Sequence, residues 1–351
     1  MERTEDHVLG LIERVKSKPL RFRDEQITMA HGAGGKATLT LIEGLLAPAF
    51  GIDELADAAA VGELAVTTDS FVVRPIRFPG GSIGELAVNG TVNDLAVSGA
   101  RPLALTLSLV LEEGLSADEL RAEVEAIARA AEAAGVRIVA GDTKVVERGR
   151  CDSMYVTTTG IGQLDPRAQL SPSSLRPGDR ILVSGPVGEH GTAIMLARGE
   201  FELDAAIESD TKPLWPAVDA LLDAAGDSLR CVRDATRGGV ASVLNELARA
   251  SGVAIVVREA QVPVHPAVAG ACEILGIDPM YVANEGTLVA FAAPEAADDA
   301  LAALRSVAGC EAAAEIGEVK TEPPGMVLVE TAFGGRRVMD MLVGDPLPRI
   351  C

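Results

Sequence analysis

The residues best suited to chemistry in this sequence are carboxylates at the ends of apolar runs. Asp69, Asp142 and Asp234 each stand where such a run gives way to a turn, and the carboxyl ends of strands are where α/β sheets place ligand sites. Asp94 adds a fourth. It lies in the stretch 83–98, which reads as a helix of small apolar residues with Glu85, Asn89 and Asn93 at four-residue spacing, hence on one face. Any one of these aspartates, taken singly, reads equally as a turn cap. Four that converged within about 6 Å would repel by roughly 3 kcal/mol per pair at an effective dielectric near 20. Such a cluster needs a cation, and oxygen ligands without His or Cys point to Mg²⁺ beside a phosphate-bearing substrate.

Two glycine-rich loops offer the complementary donors. Gly32-Ala33-Gly34-Gly35-Lys36-Ala37 fits G-x-G-x-x-A loosely and is not a Walker A loop, because Lys36 is followed by Ala37. Gly34, Gly35 and Lys36 still supply backbone N–H groups and one cation for phosphate. Thr236-Arg237-Gly238-Gly239 follows Asp234 directly and opens a predicted helix, whose dipole favours an anion at its N-terminus. Two loops in two halves of the chain suggest one nucleotide held across a domain interface. Lys144 and Glu285 are candidates for proton transfer, although each alone also reads as a surface charge. His31 and His190 lack metal-ligand spacing and read as loop-structuring residues.

The sequence closes on Leu347-Pro348-Arg349-Ile350-Cys351. A thiol beside a charged α-carboxylate is a poor core residue, and the motif for prenylation needs its Cys four residues from the end. Pro346 and Pro348 stiffen the approach, and an extended arm gains about 3 Å per residue, so the stretch after Asp340 spans roughly 30 Å. Cys351 is therefore expected to be a carrier nucleophile on a mobile arm. The plainer reading is an untidy end that happens to finish in Cys.

The elements around these residues alternate strand and helix in both halves, which predicts an α/β or α+β protein with a sheet in each of two domains. The expected division is an extension over 1–25, an N-terminal domain over 26–164, a Pro- and Ser-rich linker over 165–179, a C-terminal domain over 180–335 and the arm over 336–351. A strand is predicted over 136–140, ending at Gly141-Asp142. Of the 351 residues 48% are hydrophobic but only 3% aromatic, so the cores must be built from Ala, Val, Leu and Ile. The net charge of −20 argues against sequence-independent binding to nucleic acid or anionic membrane. Five scattered cysteines without a CxxC pair indicate neither a zinc knuckle nor a disulfide framework. With no apolar leader and no membrane-length run, the expected location is cytoplasmic.

Taken together, His31-Gly32-Ala33-Gly34-Gly35-Lys36, Thr68-Asp69-Ser70, Val92-Asn93-Asp94-Leu95-Ala96, Gly141-Asp142-Thr143-Lys144-Val145-Val146, Gly188-Glu189-His190-Gly191, Asp234-Ala235-Thr236-Arg237-Gly238-Gly239, Asn284-Glu285-Gly286 and Pro348-Arg349-Ile350-Cys351 resemble the HypE family of hydrogenase maturation factors. The likeness runs in order from about residue 26 to the end. The internal motifs are shared with the wider PurM-like superfamily of aminoimidazole ribonucleotide synthetase, selenophosphate synthetase and thiamine-monophosphate kinase, whereas the closing Pro-Arg-Ile-Cys is specific. The resemblance implies a two-domain PurM-like fold that dimerises through its N-terminal sheets, with ATP and Mg²⁺ in the cleft between domains. It further implies an ATP-dependent carbamoyl dehydratase. A carbamoyltransferase, HypF, would load a carbamoyl group onto Cys351; ATP would phosphorylate the thiocarboxamide oxygen; loss of phosphate would leave a thiocyanate; and cyanide would pass to iron on a HypC–HypD complex as a ligand for [NiFe]-hydrogenase. Residue by residue, it implies Asp69, Asp94, Asp142 and Asp234 on the metal and Glu285 with Lys144 in removing the two N–H protons. Gly34, Gly35, Lys36, Asn93, Thr143, Thr236, Arg237, Gly238 and Gly239 would lie around the nucleotide. Arg349 would help hold Cys351 as thiolate. The chain departs from the pattern in its long N-terminal stretch and in Ala140, where a second Gly often precedes Gly141-Asp142. The competing readings are a small-molecule kinase or synthetase of the same superfamily, with Cys351 incidental, and a non-catalytic acidic scaffold.

Overall fold

The β-branched run from Leu64 to Phe71 forms a strand that buries Ala65, Thr67 and Phe71 on one face and leaves Thr68 and Ser70 on the other. That strand belongs to a computed structural model that describes residues 20–52, 55–199 and 206–343. In chain order the first half contains β1 (Ala59–Val61), β2 (Leu64–Phe71), the ribbon of β3 (Arg77–Phe78) and β4 (Gly81–Ser82), α1 (Ile83–Val97), β5 (Ala100–Glu112), α2 (Ala117–Ala133), β6 (Arg137–Val146) and β7 (Met154–Leu164). Its sheet has the order β1-β2-β7-β5-β6. Only β5 and β6 are parallel, joined by the α2 crossover; the other pairs are antiparallel.

The second half contains β8 (Arg180–Val183), α3 (Glu189–Ala197), α4 (Trp215–Ala225), β9 (Leu229–Asp234), α5 (Gly239–Ser251), β10 (Ala254–Arg258), α6 (Pro266–Leu275), β11 (Leu288–Ala292), α7 (Ala297–Ser306), β12 (Ala314–Lys320), β13 (Met326–Glu330) and β14 (Arg336–Met339). These strands form a seven-stranded mixed sheet in the order β14-β13-β10-β12-β8-β11-β9. The α+β architecture expected from the sequence is thus present, one sheet to each half.

Helix α1 joins the halves. Nearly all of it is buried, including the polar Asn89, Thr91 and Asn93. A helix buried all round needs small side chains, and this one supplies Gly84, Ala87, Gly90 and Ala96. One side packs on β2, β5 and β7; another meets β9 and α4 of the second half. Burial of Leu86, Val88, Val92 and Leu95, each at about 1.5–3 kcal/mol, fixes its position.

Three expectations change. Residues 26–50 attach to the second half rather than the first: the Ser242 hydroxyl of α5 donates to the Gly34 carbonyl (2.9 Å), the Lys36 N–H donates to the Leu342 carbonyl (3.0 Å), and Glu43 pairs with Arg249. The described part of the extension packs on this segment, with Asp24 Oδ2 3.0 Å from His31 Nε2. Residues 336–339 are not a free arm but strand β14, paired antiparallel with β13 because Arg336–Met339 continues the hairpin that turns at 331–335. Strand β6 also runs past the expected end, to Val146, which places Asp142 inside it. No helix among the described residues is long and apolar enough to cross a membrane.

Candidate active site

Where α1 crosses β9, three carboxylates meet. Oxygen atoms of Asp57, Asp94 and Asp234 all lie within 4.8 Å of one another. Asp94 comes from the last turn of α1, Asp234 from the end of β9, and Asp57 from the chain entering β1. The Thr67 hydroxyl lies 2.8 Å from both the Asp57 carbonyl and Asp94 Oδ2, and its single proton serves one at a time. Arg233 Nε is 2.7 Å from Asp57 Oδ2, which leaves Asp94 and Asp234 to repel each other with little compensation. Burial first, then Asp234, Asp57 and Asp69, push the Asp94 carboxyl well above the ordinary carboxylate range. Burial and then Asp57 push Asp234 up to about 7. Ionised pairs this close cost roughly 3 kcal/mol each even at an effective dielectric of 20. The donor set, hard, anionic and crowded, fits a divalent cation such as Mg²⁺.

Asp69 stands beside this trio rather than in it. Burial raises its carboxyl, and Arg237 Nη2, 3.8 Å from Asp69 Oδ1, works against that shift. Glu285 completes the acidic group. It is buried, and its carboxyl is held well above the usual range by burial, then by Asp234, Asp210 and Asp69, with Arg237 opposing. Arg237 is thus the cation that faces both Asp69 and Glu285.

The second glycine loop has the form expected of an anion-facing turn. Gly238 (φ 77°) and Gly239 (φ 60°) take consecutive left-handed conformations, and the Gly239 N–H closes the turn on the Thr236 carbonyl (2.8 Å) at the start of α5. A Cβ on Gly239 would stand 2.6 Å from the carbonyl oxygens of Met280 and Val282. The first loop does something else. Gly34 (φ 73°) lies so close to Arg237 that a Cβ would reach 2.5 Å from its carbonyl oxygen, Gly35 backs onto Leu342, and Lys36 Nζ is 2.7 Å from Asp340 Oδ2. Lys36 is therefore committed to the chain after β14, not to an open anion site. Asn93 is likewise committed: its amide donates to the carbonyls of Lys212 (3.0 Å) and Glu285 (3.2 Å), and its Oδ1 accepts from the Leu214 N–H (2.7 Å). It orders the backbone around the acids.

Asp142, Thr143 and Lys144 do not join this group. Register carries Asp142 through Ser108 and Thr157 to Ser70, three strands away, or about 14 Å from β2. Asp69 aligns instead with Thr158, whose hydroxyl bonds the Ala87 carbonyl of α1. Asp142 and Lys144 consequently project from the face opposite Asp69, on an edge strand exposed along almost its whole length. There they pair with each other at 2.6 Å, and the Lys144 ammonium holds the Asp142 carboxyl below its usual range.

Cys351 and Arg349 lie outside the described residues. The other cysteines, 151, 231, 272 and 310, are buried thiols. Burial raises the thiols of Cys151, Cys272 and Cys310, which suits packing rather than attack. Sequence reasoning missed Asp57 and Asp210. Asp57 has no periodic or motif signal, since it lies in the irregular chain before β1.

Comparison with known proteins gives the family. The family model for the AIR synthase related protein, N-terminal domain, matches residues 55–164, and that for the C-terminal domain matches 176–329. Together they define a two-domain AIR-synthase-related protein. The carbamoyl dehydratase HypE of Rhodobacter capsulatus is 49% identical over 341 residues, 95% of this chain and 100% of that protein. A crystal structure of a HypE–HypF complex contains a chain 44% identical, with a TM-score of 0.83 over 86% of this chain and 99% of that one. A crystal structure of HypE in complex with ATP is 43% identical, with a TM-score of 0.79 over 93% of this chain and 100% of that one. This chain belongs to the carbamoyl dehydratase HypE family.

Proposed function

We propose that this chain dehydrates a carboxamide carried on the thiol of Cys351 to a thiocyanate, driven by ATP hydrolysis, and so supplies cyanide for hydrogenase iron. The observation that carries the reading is the acidic group of half-buried Asp57 and Asp94 with buried Asp234 and Glu285, faced by Arg237 and the Gly238-Gly239 turn, in a member of this family. The amide oxygen attacks the γ-phosphorus and ADP departs. One N–H proton leaves to give an imidate; the second leaves as the C–O bond breaks and phosphate carries the oxygen away. Asp57, Asp94 and Asp234 would hold Mg²⁺, which supplies charge compensation for the transferring phosphoryl group. Arg237 and the N–H groups of the turn would receive phosphate oxygens. Glu285, its carboxyl raised by burial and by the neighbouring acids, suits a proton-transfer role.

HypF as the donor of the carbamoyl group, HypC–HypD as the acceptor of cyanide, and a cytoplasmic location follow the family reading. A homodimer through the first sheet gains support from its exposed apolar residues: Leu64 on β2, Leu103 on β5 and Ile138, Val139 and Val145 on the edge strand β6 are left in solvent. Lys144 and Asp142 lie on that sheet, and their part in the reaction belongs to the assembled pair. Calorimetric titration with ATP tests the site. Binding should require Mg²⁺ in the wild type and lose that requirement in Asp94→Asn; equal Mg²⁺ dependence in both would contradict the assignment.

A further inference from the structure

Glu285 sits in the loop before β11, a backbone without helix or strand to fix it. Its anchor comes from elsewhere. The segment Ile207–Leu214 passes between the two halves and touches both. On the first-half side, the Ser209 N–H donates to the Pro79 carbonyl (2.9 Å), the Asn89 amide of α1 donates to the Thr211 hydroxyl (3.1 Å), and Asn93 brackets the segment at Lys212 and Leu214. On the second-half side, one carboxylate makes the connection. Asp210 Oδ1 accepts the Glu285 N–H (2.9 Å), while Oδ2 accepts the Gly286 N–H (3.0 Å) and the Thr287 hydroxyl (2.9 Å). The Glu285 carbonyl is tied in turn to Asn93. Gly286 allows this approach, because a Cβ there would overlap the Asp210 carbonyl.

We propose that Asp210 is the positioning residue of Glu285: its carboxylate, seated against α1 by the 207–214 segment, fixes the peptide groups that aim the Glu285 side chain at the reacting amide. The inference rests on the reading of Glu285 as the proton-transfer group. An acceptor that is ionised and takes three donors is stronger than a neutral one. An amide in its place cannot accept as an anion on both oxygens, so the loop loosens while its sequence stays intact. Misplacement of a reacting group by a fraction of an ångström to about 1 Å lowers rates on the order of 10- to 100-fold.

The test follows phosphate release from full-length protein carbamoylated by its loading enzyme, in wild type, Asp210→Asn, Glu285→Gln and the double variant. Asp210→Asn should lower kcat by roughly 10- to 100-fold while leaving KM for ATP unchanged, and should add nothing further in the Glu285→Gln background. Thr287→Val, which removes one donor from the same carboxylate, should give a smaller loss of the same kind and serves if Asp210→Asn fails to fold. A wild-type kcat in Asp210→Asn with a slow Glu285→Gln overturns the positioning role alone. Losses that multiply in the double variant, or a raised KM with kcat unchanged, also overturn it. A wild-type rate in Glu285→Gln removes the underlying reading and the proposal together.

Discussion

Replacing Asp234 by Asn should stabilise the metal-free protein, and only above a definite pH. The Asp234 carboxyl is pushed up to about 7 from its usual 3.8, by burial and by Asp57. The native state therefore keeps a proton that the unfolded chain gives up at about pH 4, so stability falls as pH rises through the window from about 4 to about 7 and levels off above it. A carboxyl raised that far corresponds to about 4 kcal/mol, an upper figure because the neighbouring acids titrate together. Asn keeps the shape and removes the charge. Urea unfolding in EDTA at pH 8 should show the variant more stable than wild type by up to about 4 kcal/mol, with the gap closing toward pH 4. Adding Mg²⁺ should then narrow the gap, since a ligand at 100 times its Kd stabilises the wild type by about 2.7 kcal/mol and the variant has lost a ligand. A variant less stable than wild type at pH 8, or a gap that does not change with pH, would refute the idea that charge crowding dominates this site.

Other substitutions separate the roles of the loops. Lys36→Met should leave the Kd for ATP within about threefold of wild type and cost less than about 1 kcal/mol of stability, because its partner Asp340 is half-exposed; isothermal titration and urea melts check both. Gly239→Ala should cost about 1–3 kcal/mol and weaken ATP binding, since alanine is strained at φ 60° and its methyl meets two carbonyls; a melt unchanged from wild type would contradict the close approach. Asp142→Asn should change stability in EDTA by the same small amount at every pH between about 5 and 8, in contrast to Asp234→Asn, because the Asp142 carboxyl is exposed and held below its usual range by Lys144.

Much of this was legible from the chain because local rules and tertiary packing agree. The small-residue helix over 83–98, the strand ending near Asp234 and the glycine pair opening α5 all follow from spacing and turn chemistry, and each carries a residue of the site. The residues whose surroundings differ from the local expectation share a cause. Asp142 resembled a strand-end aspartate because Gly141 looked like a stop, whereas β6 continues to Val146 along β5, and register alone decides its face. Lys36 beside glycines looked like a phosphate ligand, but its partner Asp340 lies far along the sequence. Asn93 looked like a polar residue facing a cleft, and instead directs its amide to the backbone of Lys212, Leu214 and Glu285. Asp57 and Asp210 lie in irregular chain, where no period marks a residue and function depends on what folds against it.

The most direct measurement is the intact mass of the full-length protein after incubation with its loading enzyme, carbamoyl phosphate, Mg²⁺ and ATP. A carbamoyl adduct confined to Cys351 should appear first and then lose the mass of one water, the second step only when the ATP can be hydrolysed. An adduct on another residue, loss of water without ATP hydrolysis, or cyanide delivered by a Cys351→Ser protein would contradict the carrier role of that thiol.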